Sequence, residues 1–328
     1  MPIIEVENLS KDFTIYKQST GKFHLIKDLF HRDVEIKRAI HDISFNIEKG
    51  DVVGYVGPNG AGKSTTIKIL TGILVPTSGR VLVNDRIPYE NRRENAMKIG
   101  VVFGQRSQLY WDLPMKDTFD LYKKMYRIDD SVFTRNVRFY IDMLNMGDFL
   151  HRPVRQLSLG EKMRAEFAVA LLHDPEIVYL DEPTIGLDII SKKNIRDFIR
   201  QINREKQTTI ILTTHDMEDI EQVCNRIILI DKGKKQYDGS LTDFKSAYRP
   251  EHVIEFTFSK RKNPHCKIST NLIHISYNND GCGCAYFDPN VVTSMEVINF
   301  LMCNFVVSNI KTVEPKIEDI LRTMYAGK

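Results

Sequence analysis

From residue 1 to about 240, short β-branched runs alternate with longer stretches of helical periodicity, the pattern of an α/β domain built on a largely parallel sheet. The apolar runs predict strands at Ile3 to Leu9, Ile40 to Ile47, Val52 to Val56, Val81 to Val83, Ile99 to Phe103, Ile177 to Leu180, Thr209 to Thr213 and Ile227 to Ile230. No strand is legible between Phe103 and Ile177. Residues from about 117 to 172 carry a helical period instead, which places a helical subdomain, about 105–172, inside a domain spanning 1–240. The turn-rich Asp231-Lys-Gly-Lys and Asp238-Gly239 and a linker helix over 241–249 then lead to a second, α+β unit over 250–328. Its alternating runs at Val253 to Phe258, Leu272 to Tyr277 and Ala285 to Phe287 predict a small sheet. Two amphipathic helices are expected to cover that sheet, one through Met295, Ile298, Met302 and Phe305, the other through Ile317, Ile320, Leu321 and Met324.

Composition narrows the class. Among 328 residues, 42% are hydrophobic and 27% charged, enough apolar material for more than one core. The 46 basic and 43 acidic residues leave a formal charge of +3, which argues against broad phosphate neutralisation, so no nucleic-acid partner is expected. The apolar runs stop far short of the 18 or so residues that span a bilayer. Met1-Pro-Ile-Ile-Glu-Val-Glu has no basic region followed by an apolar core, so the expected compartment is the cytosol. Five scattered cysteines, Cys224, Cys266, Cys282, Cys284 and Cys303, suit reduced thiols rather than a disulfide scaffold. Cys282-Gly-Cys284 reads as a turn in a surface loop, with a soft-metal site as the other reading.

The chemistry begins at Gly57, Pro58, Asn59, Gly60, Ala61, Gly62, Lys63, Ser64 and Thr65, which satisfy G-x-x-x-x-G-K-[ST] between an apolar strand and a helical stretch. Glycines let backbone N–H groups turn inward around phosphates, and the helix N-terminus adds its positive dipole end. Lys63 supplies a charge for the β- and γ-phosphates, Ser64 a hydroxyl for Mg²⁺, and Thr65 reaches toward the α-phosphate. A second apolar strand ends in Asp181 and Glu182, at the carboxyl edge where parallel sheets hold ligands. Asp181 is placed to hold Mg²⁺ through water and Glu182 to polarise an attacking water.

Gln156-Leu-Ser158-Leu-Gly160-Glu-Lys-Met-Arg164, just before that strand, resembles the L-S-G-G-Q signature of ATP-binding cassette (ABC) ATPases. Gln105, Gly186-Leu-Asp188 and His215 follow the family's order, and the match spans about residues 3 to 240. The resemblance implies a P-loop NTPase fold, ATP and Mg²⁺, and a head-to-tail homodimer or pseudo-dimer that sandwiches two nucleotides. Lys63, Ser64, Gln105, Asp181, Glu182 and His215 would then serve the nucleotide of their own subunit, with Ser64, Gln105 and Asp181 around the metal. Ser158 and Gly160 would reach the partner's γ-phosphate, and Asp188 would report across the seam. An aromatic ring near the N-terminus would stack on adenine; Phe13 and Tyr16 are both placed for it, Phe13 preferred.

Two signature positions depart from the family, Leu159 for Gly and Glu161 for Gln. Leu159 puts a side chain where backbone meets phosphate, which would slow hydrolysis, yet the S-L-G form also resembles one branch of export-type cassettes. Phe103-Gly-Gln105-Arg-Ser-Gln-Leu-Tyr-Trp111-Asp-Leu-Pro114 resembles the same branch, related to drug-resistance and polysaccharide exporters. The family's groove for a permease's coupling helix would have Leu109, Tyr110, Trp111, Leu113 and Met115 as its apolar edge, with core packing as the alternative. The basic, apolar-dotted segment 17–38 is read as a solvated loop, or as an amphipathic helix meeting lipid or a membrane partner. The C-terminal stretch Glu314 to Leu321 resembles the extensions of drug-export cassettes, expected to stabilise the dimer or regulate turnover. The whole reads as the ATPase subunit of an exporter, peripheral on the inner face of the cell membrane. The alternative is a soluble ABC ATPase acting in assembly, repair or translation, against which stand the single cassette and a Gly57-to-Leu157 span with no room for a long coiled coil.

Overall fold

Strands β3 (Val52–Val56) and β7 (Thr209–Thr213) are buried along their whole length, as strands covered on both faces must be, and this is why their central residues carry no charge. The computed structural model describes residues 2–16, 34–104, 106–247, 252–262, 273–278, 281–289, 291–313, 317, 318, 320 and 321. Around β3 and β7 lie β5 (Ile99–Phe103), β6 (Ile177–Asp181), β8 (Arg226–Asp231) and β9 (Lys234–Ser240), in the order β5-β6-β7-β3-β8-β9. All neighbouring pairs are parallel except β8 with β9. A three-stranded antiparallel sheet, β2-β1-β4, is built from β1 (Ile4–Tyr16), β2 (Val34–Ile47) and β4 (Ser78–Val83). Ile4, Val6, Ile43 and Phe45 from this small sheet share one core with Val53, Tyr55, Tyr179 and Ile228 of the large one.

The helices of the first unit are α1 (Lys63–Leu70), α2 (Arg92–Ala96), α3 (Met115–Tyr126), α4 (Asp130–Met143), α5 (Leu159–Leu171), α6 (Ile189–Lys206) and α7 (Met217–Val223). α3, α4 and α5 fall between β5 and β6, so the helical period read from the sequence is an inserted three-helix subdomain. α5 is buried nearly all round, from Met163 through Leu171.

The chain divides into two units, Met1–Leu241 and Thr242–Lys328. The second contains α8 (Leu241–Ala247), which starts at the division, then β10 (His252–Arg261), β11 (Ile273–Tyr277), β12 (Cys282–Phe287), α9 (Ser294–Asn304) and β13 (Phe305–Val313). Its antiparallel sheet runs β11-β12-β10-β13, with one face packed under α9 through Ile254, Ala285, Phe287, Val297 and Leu301.

Several expectations change. β1, β2 and β4 are longer than their apolar segments, because hairpin pairing carries polar residues with it, as where Arg38 reaches Asp12 at 2.7 Å. β9 and β13 were legible only as turn or helix. β9 is a largely polar edge strand, and β13 takes Phe305 out of the helix because Phe305 pairs with Arg261. The buried face of α9 is therefore Val297 and Leu301, while Met295 and Met302 are exposed. Cys282 and Cys284 lie on strand β12 rather than in a loop, and no group of three or more metal-binding side chains occurs among the described residues. Leu109 and Met115 are core residues, whereas Tyr110 and Trp111 are exposed. Ile317, Ile320 and Leu321 are buried; Met324, Cys266 and segment 17–33 lie outside the described residues. Residues 34–38 of the basic segment are strand, not helix. No helix among the described residues is long and apolar enough to cross a membrane.

Candidate nucleotide-binding and hydrolytic site

β3 delivers the chain into the glycine-rich loop, and the loop's backbone tolerates little else. A Cβ on Gly57 would meet the Ile230 carbonyl oxygen at 2.3 Å. Gly62, at φ 108, is the N-cap of α1 and also stands close under the Ala39 carbonyl, 2.7 Å from where a Cβ would be. The first turn of α1 thus opens directly onto the loop, with its N–H groups unpaired by any side-chain cap. Lys63 folds back across this opening, its Nζ donating to the carbonyls of Gly57 at 2.7 Å and Pro58 at 3.2 Å. Burial pulls its pKa below the ordinary lysine value, with the carboxylates of Glu182 and Asp181 opposing.

Asp181 ends β6 beside this loop. The Ser64 hydroxyl lies 3.4 Å from Asp181 Oδ2, and the Thr213 hydroxyl donates to Oδ1. A hydroxyl and a carboxylate converging on one point are the hard oxygen donors that Mg²⁺ selects, so these residues fit that ion. Glu182, the next residue, adopts a left-handed backbone, φ 55, and its N–H donates to the Thr213 carbonyl at 2.8 Å. This turn aims the Glu182 carboxylate at His215, whose Nδ1 lies 2.7 Å from Oε2. His215 itself is well exposed and Glu182 mostly covered, at 62% and 20% side-chain exposure, so the pair opens to the surface from the imidazole side.

Lys63, Ser64, Asp181 and Glu182 contribute to two cavities that share Ser64 and Glu182. One, of about 380 Å³, has Phe13, Ile15 and Lys37 as one wall and Asn59, Gly60, Gly62, Lys63 and Thr65 as the other. Phe13 is thus the aromatic ring beside the phosphate loop; Tyr16 ends β1, and its side chain lies outside the described residues. The second cavity, about 520 Å³, is lined by Asp181, Lys68, Ile73, Phe103, Gly104 and Arg106. Gln105 lies outside the described residues, between two residues of that lining.

The segment 40–185 matches the family model described as ABC transporter. The ABC transporter ATP-binding protein NatA of Bacillus subtilis is 33% identical over 231 residues, covering 70% of this chain and 94% of that protein. The chain belongs to the ATP-binding proteins of ABC transporters. The linearmycin resistance ATP-binding protein LnrL of B. subtilis is 31% identical, over 73% of this cassette protein and 76% of its own length. Among solved structures, a dimeric ATP-binding cassette in a post-hydrolysis state with ADP and phosphate superposes with a TM-score of 0.59 at 26% identity, covering 73% of this chain and 98% of that one. The cbiO1 protein of Clostridium perfringens, part of the transporter complex cbiONQ, superposes with a TM-score of 0.61 at 25% identity, over 76% of this chain and 93% of its own. The α/β P-loop fold is therefore that of an ABC ATPase, a family of ATP hydrolases.

Three further motif residues sit at helix starts outside the lining of these two cavities. Ser158, Gly160 and Asp188 line neither cavity. Ser158 is the exposed N-cap of α5, in a reciprocal capping box: the Glu161 N–H donates to Ser158 Oγ at 3.2 Å and the Ser158 N–H to Glu161 Oε2 at 2.8 Å. The departure at the fifth signature position thus completes a helix cap, and Glu161 is further held by an ion pair to Arg152. Leu159 is 48% exposed, its Cδ2 3.2 Å from where a Cβ on Gly186 would be. Asp188 caps α6 through the N–H and hydroxyl of Ser191, at 2.9 and 2.6 Å. Sequence reasoning missed Thr213 and Gly104. Their role follows from register, since parallel pairing sets Thr213 beside Asp181 and Phe103 on its other side.

Proposed function

We propose that this cassette hydrolyses ATP between two copies of itself and transmits the cycle to a separate membrane permease, on the cytoplasmic face and in the export direction. The single observation that carries the hydrolytic part is the Glu182 to His215 contact, 2.7 Å, beside the phosphate loop. Lys63 and the loop N–H groups hold the phosphates, and Phe13 lies under the base. Ser64 and Asp181, with Gln105 as the family resemblance implies, would hold Mg²⁺, which would supply charge neutralisation to the phosphates. Glu182 accepts the proton of the attacking water, and His215 holds that water's neighbour, the γ-phosphate, in line.

Ser158 and Gly160 supply the partner's phosphate with a hydroxyl and a helix N-terminus, and Asp188 lies at the seam. The exposure of Ser158 at the start of α5 supports a role in trans, as does the dimeric form of the similar cassette with ADP and phosphate. The export reading is supported by similarity to a protein named for linearmycin resistance, and the exposed Tyr110 and Trp111 suit a docking edge for a permease helix. The second unit is an accessory domain that stabilises the dimer or regulates turnover.

The test is affinity purification of the tagged chain from detergent-solubilised membranes of its native cell. Co-purification of a multi-spanning protein is the expected result. Recovery of soluble partners alone, with the chain absent from membranes, would replace this reading with that of a soluble ABC ATPase.

A further inference from the structure

Behind the Glu182 and His215 pair lies a buried ion pair to which no step above assigns a part. Asp219 on α7 is 1% exposed and Arg196 on α6 is 7% exposed, with Arg196 Nε 2.6 Å from Asp219 Oδ1. The other carboxylate oxygen, Oδ2, accepts hydrogen bonds from two hydroxyls, that of Thr184 and, at 3.5 Å, that of Thr214. Both threonines are themselves buried. Thr184 is two residues beyond Glu182, and Thr214 immediately precedes His215. One buried carboxylate therefore grips the two separate loops that carry the two groups in contact at the reaction centre.

Arg196 is held in turn from its other side. Its Nη1 lies 2.8 Å from Glu218 Oε1, and a second nitrogen lies 3.9 Å from Asp216, which also pairs with Lys192 at 2.5 Å. The orientation of the Asp219 carboxylate is thereby fixed at both oxygens, one by a planar guanidinium and the other by hydroxyls. Such a network is rigid because leaving any member buried without its partner is costly. Glu182 gains most from that rigidity, since its own backbone is in the left-handed region that non-glycine residues rarely occupy and is kept there by its surroundings.

We propose that Asp219, oriented by Arg196, is a positioning residue for ATP hydrolysis: it fixes the spacing between Glu182 and His215 without touching the nucleotide. The inference rests on the hydrolytic reading given above. Misplacing a catalytic group by about 1 Å costs on the order of a hundredfold in rate. Loss of the carboxylate is thus expected to lower kcat while leaving the phosphate loop, and so nucleotide affinity, alone.

The experiment is a double-mutant cycle on the full chain, with ATPase turnover and affinity for a fluorescent ATP analogue measured for wild type, Asp219→Asn, Glu182→Gln and the double variant. In the wild-type background Asp219→Asn should lower kcat by about tenfold to a hundredfold, with KM and analogue affinity within about twofold. In the Glu182→Gln background the same change should have almost no effect, because the group it positions is already gone. An equal loss in both backgrounds, or weakened nucleotide affinity with kcat retained, overturns the proposal. Undiminished turnover in Glu182→Gln alone overturns the hydrolytic reading instead, and the inference with it. Should Asp219→Asn fail to fold, Thr184→Val, which keeps shape and deletes one of the two hydroxyls, carries the same cycle with the same outcomes.

Discussion

Gly104 stands directly against the backbone of Glu182: a Cβ at position 104 would lie 1.9 Å from the Glu182 carbonyl oxygen. The Gly104 N–H also donates to the Asp181 carbonyl at 2.8 Å, so the strand end bearing Gln105 and the strand end bearing both carboxylates are locked together. Because the obstacle is backbone, nothing can yield without moving Glu182. Gly104→Ala is therefore expected to cut turnover at least tenfold and to destabilise the fold by about 1–3 kcal/mol, the usual cost of overpacking. Steady-state ATPase assays and thermal unfolding read the two effects; full turnover in this variant would show that the Glu182 backbone is free to move.

Lys63 is held over the loop by two carbonyls and depressed in pKa by burial, yet its neighbours Glu182 and Asp181 favour its charge. Lys63→Ala should abolish ATP-dependent turnover and leave the fold intact, because the side chain packs over a loop and not in a core. Turnover and circular dichroism measured together test this. Undiminished hydrolysis would refute the phosphate assignment.

Under the proposed function, the capping of α5 by Ser158 and its role in trans are separable. As the cap of α5, its loss in Ser158→Ala should cost about 1 kcal/mol of stability. As a donor to the partner's nucleotide, its loss should impair hydrolysis while the isolated subunit binds nucleotide normally. Glu161→Gln keeps one capping-box acceptor but discards the ion pair with Arg152, so it should be milder in both assays. A fall in monomer affinity with Ser158→Ala would contradict a role in trans.

Stability in mild acid turns on His173, whose ring stacks on Tyr126 at 3.9 Å and whose Nε2 meets the Ile99 carbonyl at 3.0 Å. Burial lowers its pKa from 6.5 to about 4. The unfolded chain takes up the proton near pH 6.5 and the folded one near 4, so the stabilisation is fully present above 6.5, declines between 6.5 and 4, and is constant below. At roughly 1.4 kcal/mol per unit, the fold should lose ~3 kcal/mol over that window. His173→Gln should flatten the dependence of Tm on pH between these limits; an unchanged slope would place the effect elsewhere.

Legibility in the sequence followed burial. β3 and β7 are legible to the residue because strands covered on both faces are apolar through their middle, and the edge strand β5 is legible because it is apolar apart from Gly100. β9 and β13 were not, since edge strands of mixed polarity carry no such signal; what makes them strands is pairing with β8 and β10. On α9 the stripe through Met295 and Met302 had helical spacing, but Val297 and Leu301 match the sheet, a choice made by the direction from which the sheet approaches.

The same division holds at the site. Residue order alone determined the phosphate loop, the paired carboxylates and the signature, because each needs particular atoms at fixed short spacings: glycines without Cβ, one ammonium, one hydroxyl, two carboxylates at a strand end. Only the tertiary structure decided which groups meet. It brought His215 to Glu182 and Ser64 to Asp181 across long stretches of chain, made Ser158 the exposed cap of α5, and buried Asp219 against Thr184 and Thr214, the neighbours of Glu182 and His215. The reason is physical: strand register and the crossing of helices over a sheet are set by long-range packing, and no local run of residues encodes the partner it will face.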